Sequence, residues 1–413
     1  MTMKMSSYII KRPARTTSDG SFEFSDTTPK YGLPENVKYC STCVISNQRP
    51  NSTVETMHTS VSTKKTISFD ENNICDACNT ALMKDGIDWG DRELQLRELC
   101  DRYRSRDGSY DCMIPGSGGK DSFYQAHILK NKYGMNPLTI TWAPHLYTDW
   151  GWRNFQRWIH AGFDNILVTP NGKTHRLITR LAVDNLFHPF QPFIIGQKCL
   201  APKLAYIHNI KLVFYGENEV FLGGASLQSL KEDFGVSKAD LDMYLPIDPN
   251  KVNDAGIQIH YLGYYLKWHP QEAYYYAHKH GGFEASPERT VGTYSKYNSI
   301  DDKIDDFHYL TTFIKFGIGR ATYDASQEIR SGEIDREEGV ALVHKFDGEF
   351  PERFSKEIFQ YLSISEEQFG GASQCFEQPI MDREYFEDLT NQFRSPHLWH
   401  FTVDGWKLKH TVE

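Results

Sequence analysis

The fold is decided by residues 111–122, whose sequence is DCMIPGSGGKDS. The first four residues are predicted to form a buried strand, which the following Pro-Gly pair ends. A helix is predicted from Lys120 to about Tyr133. A glycine-rich turn between a strand and the start of a helix directs several backbone N–H groups and the positive end of the helix dipole toward one point. The stretch therefore predicts a phosphate-binding loop.

Two common phosphate loops do not fit this stretch. The ATPase loop needs Gly at position 114 and Ser or Thr at position 121, where Ile114 and Asp121 stand. A dinucleotide loop beginning at Gly116 needs a third Gly at position 121. The pattern SGGKDS instead resembles the loop of the PP-loop ATP pyrophosphatases, which grips the β- and γ-phosphates of ATP and transfers AMP to a substrate. The resemblance implies ATP contacts from Ser117, Gly118, Gly119, Lys120, Asp121 and Ser122, with catalytic roles for Lys120 and Asp121.

Short apolar strands alternate with helices of about a dozen residues downstream of the loop. This alternation implies right-handed crossovers and a parallel sheet that is covered on both faces. The sequence therefore predicts an α/β fold with a doubly wound, mostly parallel sheet. The predicted strands are 138–142, 165–168 and 211–215, and the predicted helices are 150–161, 173–186 and 198–209.

The length of 413 residues predicts two or three folding units. Residues 1–35 are interpreted as a flexible leader, 36–85 as a zinc-binding module, 86–325 as the PP-loop domain and 326–413 as a helical carboxy-terminal extension. Within the PP-loop domain, a loop-rich insertion is expected from about residue 224 to residue 256.

Four of the eight cysteines form two C-x-x-C pairs, at 40–43 and 75–78. Four thiolates close a tetrahedral zinc shell with no open position, so a structural site is predicted. The alternative is a redox dithiol, but a thioredoxin-like unit surrounds neither pair. Residues 50–65 resemble a loop inserted between the pairs. The predicted zinc ligands are Cys40, Cys43, Cys75 and Cys78.

A carboxylate beside a polyphosphate is electrostatically costly unless a cation bridges the two, and Mg²⁺ favours such oxygen ligands. Asp121 is therefore a predicted magnesium ligand. The fourth predicted strand ends in YGENE (215–219), at the carboxyl edge of the sheet where ligands of open α/β folds bind. Glu217 is the second predicted magnesium ligand, with a solvated turn as the alternative. The remaining predicted contacts are Thr141, Trp142, Gly216 and Glu217 for ATP, and Asn218 for the substrate.

Three further segments, 188–197, 213–218 and 315–322, together resemble the N-acetyl sugar amidotransferases of bacterial surface polysaccharide and nonulosonic acid biosynthesis. The resemblance implies that ATP adenylates the acetamido oxygen of a sugar, which is expected to be nucleotide-linked. Ammonia then displaces AMP and leaves an acetamidino group. Lys315 and Arg320 suit the negative charge of the departing phosphates, although a solvated basic face is the alternative.

An aromatic run from 261 to 268 offers a second candidate surface. Its rings suit stacking against a sugar or nucleotide, but aromatic side chains more often fill a core. Tyr264, Lys267 and Trp268 are the predicted substrate contacts in this run.

The source of ammonia is expected to lie outside this chain. A glutaminase nucleophile needs a processed amino-terminal Cys or a strained G-x-C-x-G turn, and the cysteines fit neither pattern. The family resemblance implies separate glutaminase and cyclase-like partner subunits, similar to the two subunits of imidazole glycerol phosphate synthase.

Bulk properties narrow the remaining function classes. The net charge of −9 counts modestly against a nucleic-acid partner, and the longest apolar run is far too short to span a bilayer. The amino-terminus lacks a secretory pattern, so a cytoplasmic location is expected. The strongest alternative is a tRNA-thiolating PP-loop enzyme, which also joins cysteine pairs to this loop. That chemistry needs a reactive cysteine near the phosphates, and Cys199 stands without a second thiol nearby in the sequence.

Overall fold

A five-stranded parallel sheet forms the centre of the protein, in a computed structural model that describes residues 22–24, 26–50, 63–216 and 236–413. The strand order is β3-β2-β1-β4-β5, and every neighbouring pair is parallel. The predicted α/β class and parallel sheet are therefore confirmed. The strands are β1 Cys112–Pro115, β2 Pro137–Trp142, β3 Asp164–Val168, β4 Leu212–Tyr215 and β5 Gln258–Tyr261.

Strand β5 is absent from the sequence-based prediction for a physical reason. It lies at the edge of the sheet and its four residues range from exposed to half-buried, so they do not form an apolar run. The other four strands lie within one residue of their predicted positions.

Helices cover both faces of the sheet and build the carboxy-terminal region. The helix predicted from residue 198 begins seven residues earlier, at Gln191, because Pro192 is favourable in the first turn of a helix. The first eight helices are α1 Asp76–Asp85, α2 Trp89–Tyr103, α3 Lys120–Asn131, α4 Asp149–His160, α5 Gly172–Leu186, α6 Gln191–Ile207, α7 Lys238–Asp242 and α8 Pro249–Asp254. The next eight are α9 Leu262–Tyr265, α10 Pro270–Gly281, α11 Asp305–Phe316, α12 Arg320–Ser331, α13 Arg336–Phe346, α14 Ser355–Leu362, α15 Ala372–Cys375 and α16 Arg383–Phe393.

Alternate residues of β1 enter different cores, as the pleat of a strand requires. Cys112 and Ile114 pack with helices α2, α3 and α4 on one face of the sheet. Met113 packs on the other face, against Leu200 and neighbouring residues of α6. Burial on both faces explains why β1 reads as a continuous apolar run.

The cysteine module packs against the carboxy-terminal region. One buried cluster contains the four paired cysteines together with Phe316, Ile318 and Trp399. The region ends in an antiparallel hairpin of β6 (Trp399–Thr402) and β7 (Gly405–Leu408), which the predicted helical extension does not include. None of the described helices is both long enough and apolar enough to cross a lipid bilayer.

Several predictions concern residues outside the described ranges. These residues are most of the leader, the middle of the inserted loop at 50–65, and Glu217 and Asn218. The predicted insertion at 224–256 is described only from residue 236, where it contains the short helices α7 and α8.

Candidate ATP site and cysteine cluster

The phosphate loop leaves strand β1 at the point where the sheet order reverses, between β1 and β4. Ligands of open α/β sheets bind at this point, beyond the carboxyl ends of the strands. Gly118 has a positive φ of 85°, and a Cβ at this position would lie 2.7 Å from the Cα of Phe155. Both the backbone conformation and the close approach of α4 therefore require glycine.

Helix α3 begins at Lys120 and directs its first-turn N–H groups toward the loop. The preceding residue, Gly119, has no side chain to cap these groups, so they are available to an anion. Ser122 Oγ donates to the carbonyl oxygen of Gly119 at 3.0 Å, which closes the turn. The loop therefore has the local geometry that the sequence predicts for a phosphate site.

Lys120 and Asp121 form an ion pair in this structure. The Lys120 Nζ lies 2.8 Å and 2.7 Å from the two carboxylate oxygens of Asp121. The lysine side chain is 6% exposed and the aspartate side chain is 35% exposed. A bound polyphosphate and its cation would compete for these two groups, since Lys120 attracts the phosphates and Asp121 attracts the cation.

A cavity of about 820 Å³ opens above the loop. Its wall contains residues 115–122 of the loop region, Tyr215 and Gly216 at the end of β4, and Trp268. The opposite wall comes from helices α11 and α12 and from the cysteine module. The cavity thus joins three parts of the chain that are distant in sequence.

Helix α11 presents Asp305, His308, Tyr309 and Thr312 to the cavity, at the spacing of one helical face. Helix α12 does the same with Arg320, Tyr323, Asp324, Gln327 and Arg330. Of these residues, sequence reasoning found only Arg320. For the α11 residues, the sequence pattern that could have indicated them is a polar stripe with helical period in an otherwise apolar helix.

Burial sets the protonation of the α11 face. It raises the pKa of Asp305 to about 8, although the nearby Arg320 guanidinium opposes the shift. The pKa of His308 falls to about 3 because of burial and the charges of Arg320 and Lys315. Burial also raises the pKa of Asp301, which a hydrogen bond with Ser117 partly counteracts. At neutral pH, Asp305 and His308 are therefore uncharged groups facing the cavity.

Arg320 is the cation on this wall that lies beside the carboxylates. Its Nε donates to Asp324 Oδ2 at 3.2 Å, and its guanidinium lies 4.2 Å from the centre of the Tyr309 ring. The residue is 7% exposed. Fixed between these groups, it is oriented toward negative charge that enters the cavity.

The structure does not bring Lys315 to the cavity. Its ammonium group donates to the carbonyl oxygen of Leu186 at 2.7 Å, at the carboxyl end of α5. A cation at this position stabilises the negative end of a helix. This contact places Lys315 in the packing between α5 and α11. Lys315 is not among the described residues of the cavity wall.

The other predicted contacts divide in the same way. Of the three substrate residues that the structure describes, Trp268 lines the cavity. Tyr264 lies instead under Arg92, 3.8 Å from its guanidinium, and Lys267 pairs with Asp85 at 3.2 Å. Thr141 accepts a hydrogen bond from Asn165, Trp142 packs beneath Gly196, and neither belongs to the described wall of the cavity.

The four paired cysteines form a compact cluster. Their sulfur atoms all lie within 4.8 Å of one another, with Cys40 to Cys78 at 3.9 Å and Cys43 to Cys75 at 3.8 Å. Four thiolates about 2.3 Å from one tetrahedral ion are separated by about 3.8 Å. The donor set therefore fits a single four-coordinate metal ion. An iron–sulfur cube places each thiolate on a different iron, which requires wider spacing.

Fold, loop and cysteine cluster together define an α/β protein that carries a phosphate loop of the SGGKDS pattern and a four-cysteine site. More particularly, residues 291–412 match the family described as "LPS biosynthesis protein WbpG-like, C-terminal domain". This match supports the resemblance to the N-acetyl sugar amidotransferases that the sequence indicates. It covers helices α11 and α12, and therefore the cavity wall that faces the phosphate loop.

Two further proteins are similar to parts of the chain. The uncharacterized protein MJ1599 of Methanocaldococcus jannaschii is 33% identical over 84 residues, which are 20% of this chain. The chain thus spans about 30% of the length of this relative. The U34-tRNA thiolase NcsA from Methanococcus maripaludis, solved with its [4Fe-4S] cluster, has a TM-score of 0.26 and 12% identity, covering 65% of this chain and 84% of that one.

Proposed function

We propose that the protein is an ATP-dependent amidotransferase that converts the acetamido group of a sugar to an acetamidino group. The observation that carries this proposal is the shared cavity: the phosphate loop and the WbpG-like domain face each other across it. An adenylating loop and a domain found in surface polysaccharide biosynthesis are thereby in reach of the same ligand.

The reaction requires two displacements. The acetamido oxygen attacks the α-phosphorus of ATP, an O–P bond forms, and the bond to the bridging oxygen breaks to release pyrophosphate. Ammonia then adds to the imidate carbon, AMP leaves with the former carbonyl oxygen, and the amidine retains a proton as its cation. Lys120 and the loop N–H groups would hold the departing pyrophosphate, and Arg320 would stabilise charge on the transferred phosphate.

Two metal ions belong to this proposal. Mg²⁺, held by Asp121 and the ATP phosphates, would neutralise charge on the polyphosphate, because Mg²⁺ typically uses few protein ligands at such sites. Zinc would occupy the four-cysteine site, since one tetrahedral ion fits the sulfur spacing. Such a zinc ion would have a structural role, fixing the module that forms part of the cavity wall.

Ammonia would come from separate glutaminase and cyclase-like partner subunits. None of the eight cysteines lines the cavity, as far as the described residues define it. This placement also favours ammonia over sulfur as the nucleophile, because a thiolation enzyme of the persulfide type needs a thiol beside the adenylated oxygen.

The test is incubation of the purified protein with ATP, Mg²⁺, ammonium and a panel of acetamido nucleotide sugars. We expect one AMP and one pyrophosphate per converted sugar, and a mass loss of about one unit in the product. Metal analysis of the same preparation should find about one zinc per chain. AMP formation that requires tRNA and not a sugar would contradict the proposed reaction. An iron–sulfur absorption spectrum would contradict the assignment of zinc to the four cysteines.

A further inference from the structure

Charge is distributed unevenly along the cavity. Acidic side chains concentrate near the phosphate loop, where Asp121, Asp301 and Asp302 lie. At the far end, the wall contains Arg49 of the cysteine module and Arg330 of α12. The cavity therefore has an acidic end, suited to a metal–nucleotide complex, and a basic end.

Three cations lie at the basic end of the described cavity wall. Arg49, Lys84 and Arg330 line the cavity, and none of them forms a salt bridge with a carboxylate of the described residues. Arg330 contacts the Sγ of Cys43 at 4.0 Å, and Arg49 lies 5.5 Å from the centre of the Tyr323 ring. In a chain of net charge −9, three cations in one cavity without a carboxylate partner among the described residues indicate a site for an anion, even though one guanidinium nitrogen of Arg330 is engaged by the Cys43 sulfur.

Helix α12 runs from one end of the cavity to the other, so its length gives the distance between them. Arg320 is its first residue and Arg330 stands in its last turn, so they are about 15 Å apart along the axis. Between them, the hydroxyl of Ser326 lines the cavity and is buried without a hydrogen-bond partner among the described residues. A buried unsatisfied hydroxyl at this position is ready to bind a polar ligand.

We propose that Arg49, Lys84 and Arg330 bind the diphosphate of a nucleoside-diphosphate sugar. This inference rests on the proposed amidotransferase function and assigns the residues that would bind the diphosphate of its substrate. The sugar would lie along α12, with Ser326 bonded to one of its polar groups and the acetamido group directed toward Arg320 and the loop. Arginine suits this task because its planar donors match phosphate oxygens in pairs.

The arrangement also gives the cysteine cluster a part in substrate binding. Arg49 follows the first cysteine pair by six residues, and Arg330 touches Cys43 from the other side. An ion at the four cysteines would fix the module that carries Arg49 and the sulfur that Arg330 contacts, and would thereby support the positions of both arginines.

The test measures diphosphate binding while the loop is already occupied. The full chain is saturated with a non-hydrolysable ATP analogue and Mg²⁺, and UDP, GDP and CDP are then titrated by calorimetry. The variants are Arg49→Met with Arg330→Met, and separately Lys84→Met. Arg102→Met is the matched control, because Arg102 also stands in the last turn of its helix but is exposed away from the cavity.

We expect the double variant to bind the preferred nucleoside diphosphate about ten- to a hundredfold more weakly, with a smaller loss for Lys84→Met. Arg102→Met should bind like the wild type, and the ATP analogue should bind all variants within about twofold. Unchanged melting temperature and metal content would show that the variants are folded.

Two results would overturn the inference: no nucleoside diphosphate binds the wild type, or the double variant binds it as tightly as the wild type. If the double variant instead lost affinity for a short RNA, the three cations would be assigned to nucleic-acid binding. Failure of the ATP analogue to bind the wild type is a separate outcome, which contradicts the proposed function itself.

Discussion

The two walls of the cavity achieve binding by different means. The loop wall, residues 115–122, acts through backbone N–H groups, tight turns and the end of α3. The wall formed by α11 and α12 acts through side chains spread over two helices. The first kind of wall is contiguous in sequence and leaves a pattern of glycines and serines. The second assembles only when two helices pack across the sheet edge.

This difference has a consequence for how each wall can recognise a ligand. A backbone site binds any polyphosphate of the right shape and is tolerant of the rest of the ligand. Side chains on rigid helices can instead be exchanged one at a time to select a substrate. Under the proposed function, ATP binds the loop wall and the helical wall selects the substrate.

The largest effect is expected from Gly118→Ala in the loop wall. The new Cβ would meet the backbone of Phe155 and would need an unfavourable positive φ, so the loop must shift. A misplacement of about 1 Å in a reactive geometry costs about a hundredfold in rate. AMP formation by the variant should fall at least that far.

Gly256→Ala is the matched control for the loop. Gly256 also has a positive φ, of 66°, but nothing lies within 4 Å of its Cβ position. Both variants should lose stability from backbone strain, and Gly118→Ala should lose more because of its contact with Phe155, whereas only Gly118→Ala should lose AMP formation. Full activity of Gly118→Ala would refute a loop that depends on close backbone approach.

The contrast between the walls also decides how far the sequence could predict the site. Four strands, the main crossover helices and the loop were predictable, because each depends on local apolar period or turn chemistry. Asp305, His308 and Arg330 were not, because their roles depend on which face of a helix turns to the cavity. Lys315 illustrates the limit: its charge suggested a phosphate contact, but its ammonium group contacts Leu186.

The second largest effect is expected from Arg320→Met in the helical wall. Loss of a charge-assisted contact to the transferred phosphate should lower kcat by about ten- to a hundredfold. Lys315→Met serves as the comparison, because Lys315 is also buried and cationic but contacts the end of α5. It should lower the melting temperature and leave kcat within about twofold. Equal losses of kcat in both variants would remove the distinction between the two residues.

A smaller effect concerns the stability of the helical wall against pH. Burial raises the pKa of Asp305 to about 8, above the value of about 4 in the unfolded chain. Its contribution to stability is therefore fully present below about pH 4 and is lost as the pH rises to about 8. Asp305→Asn removes this dependence, because the amide does not ionise.

Thermal unfolding of Asp305→Asn and the wild type at pH 5 and pH 8 measures the effect. The melting temperature of the wild type should fall by about a few degrees more than that of the variant over this interval. Parallel decreases in the two proteins would mean that Asp305 ionises normally, and that the α11 face is charged at neutral pH.

The smallest effect is expected from Cys199→Ser, which should keep AMP and amidine formation within about twofold. The thiol is buried and donates to the carbonyl oxygen of Tyr244 at 3.4 Å, and burial raises its pKa to about 11. A thiol held in its protonated form is a poor nucleophile, and serine retains its hydrogen bond. Because Cys199 lies outside the described cavity wall, loss of all activity in a variant that melts like the wild type would require sulfur transfer at this residue. The substitution thus separates amidine formation from thiolation without requiring the identity of the sugar.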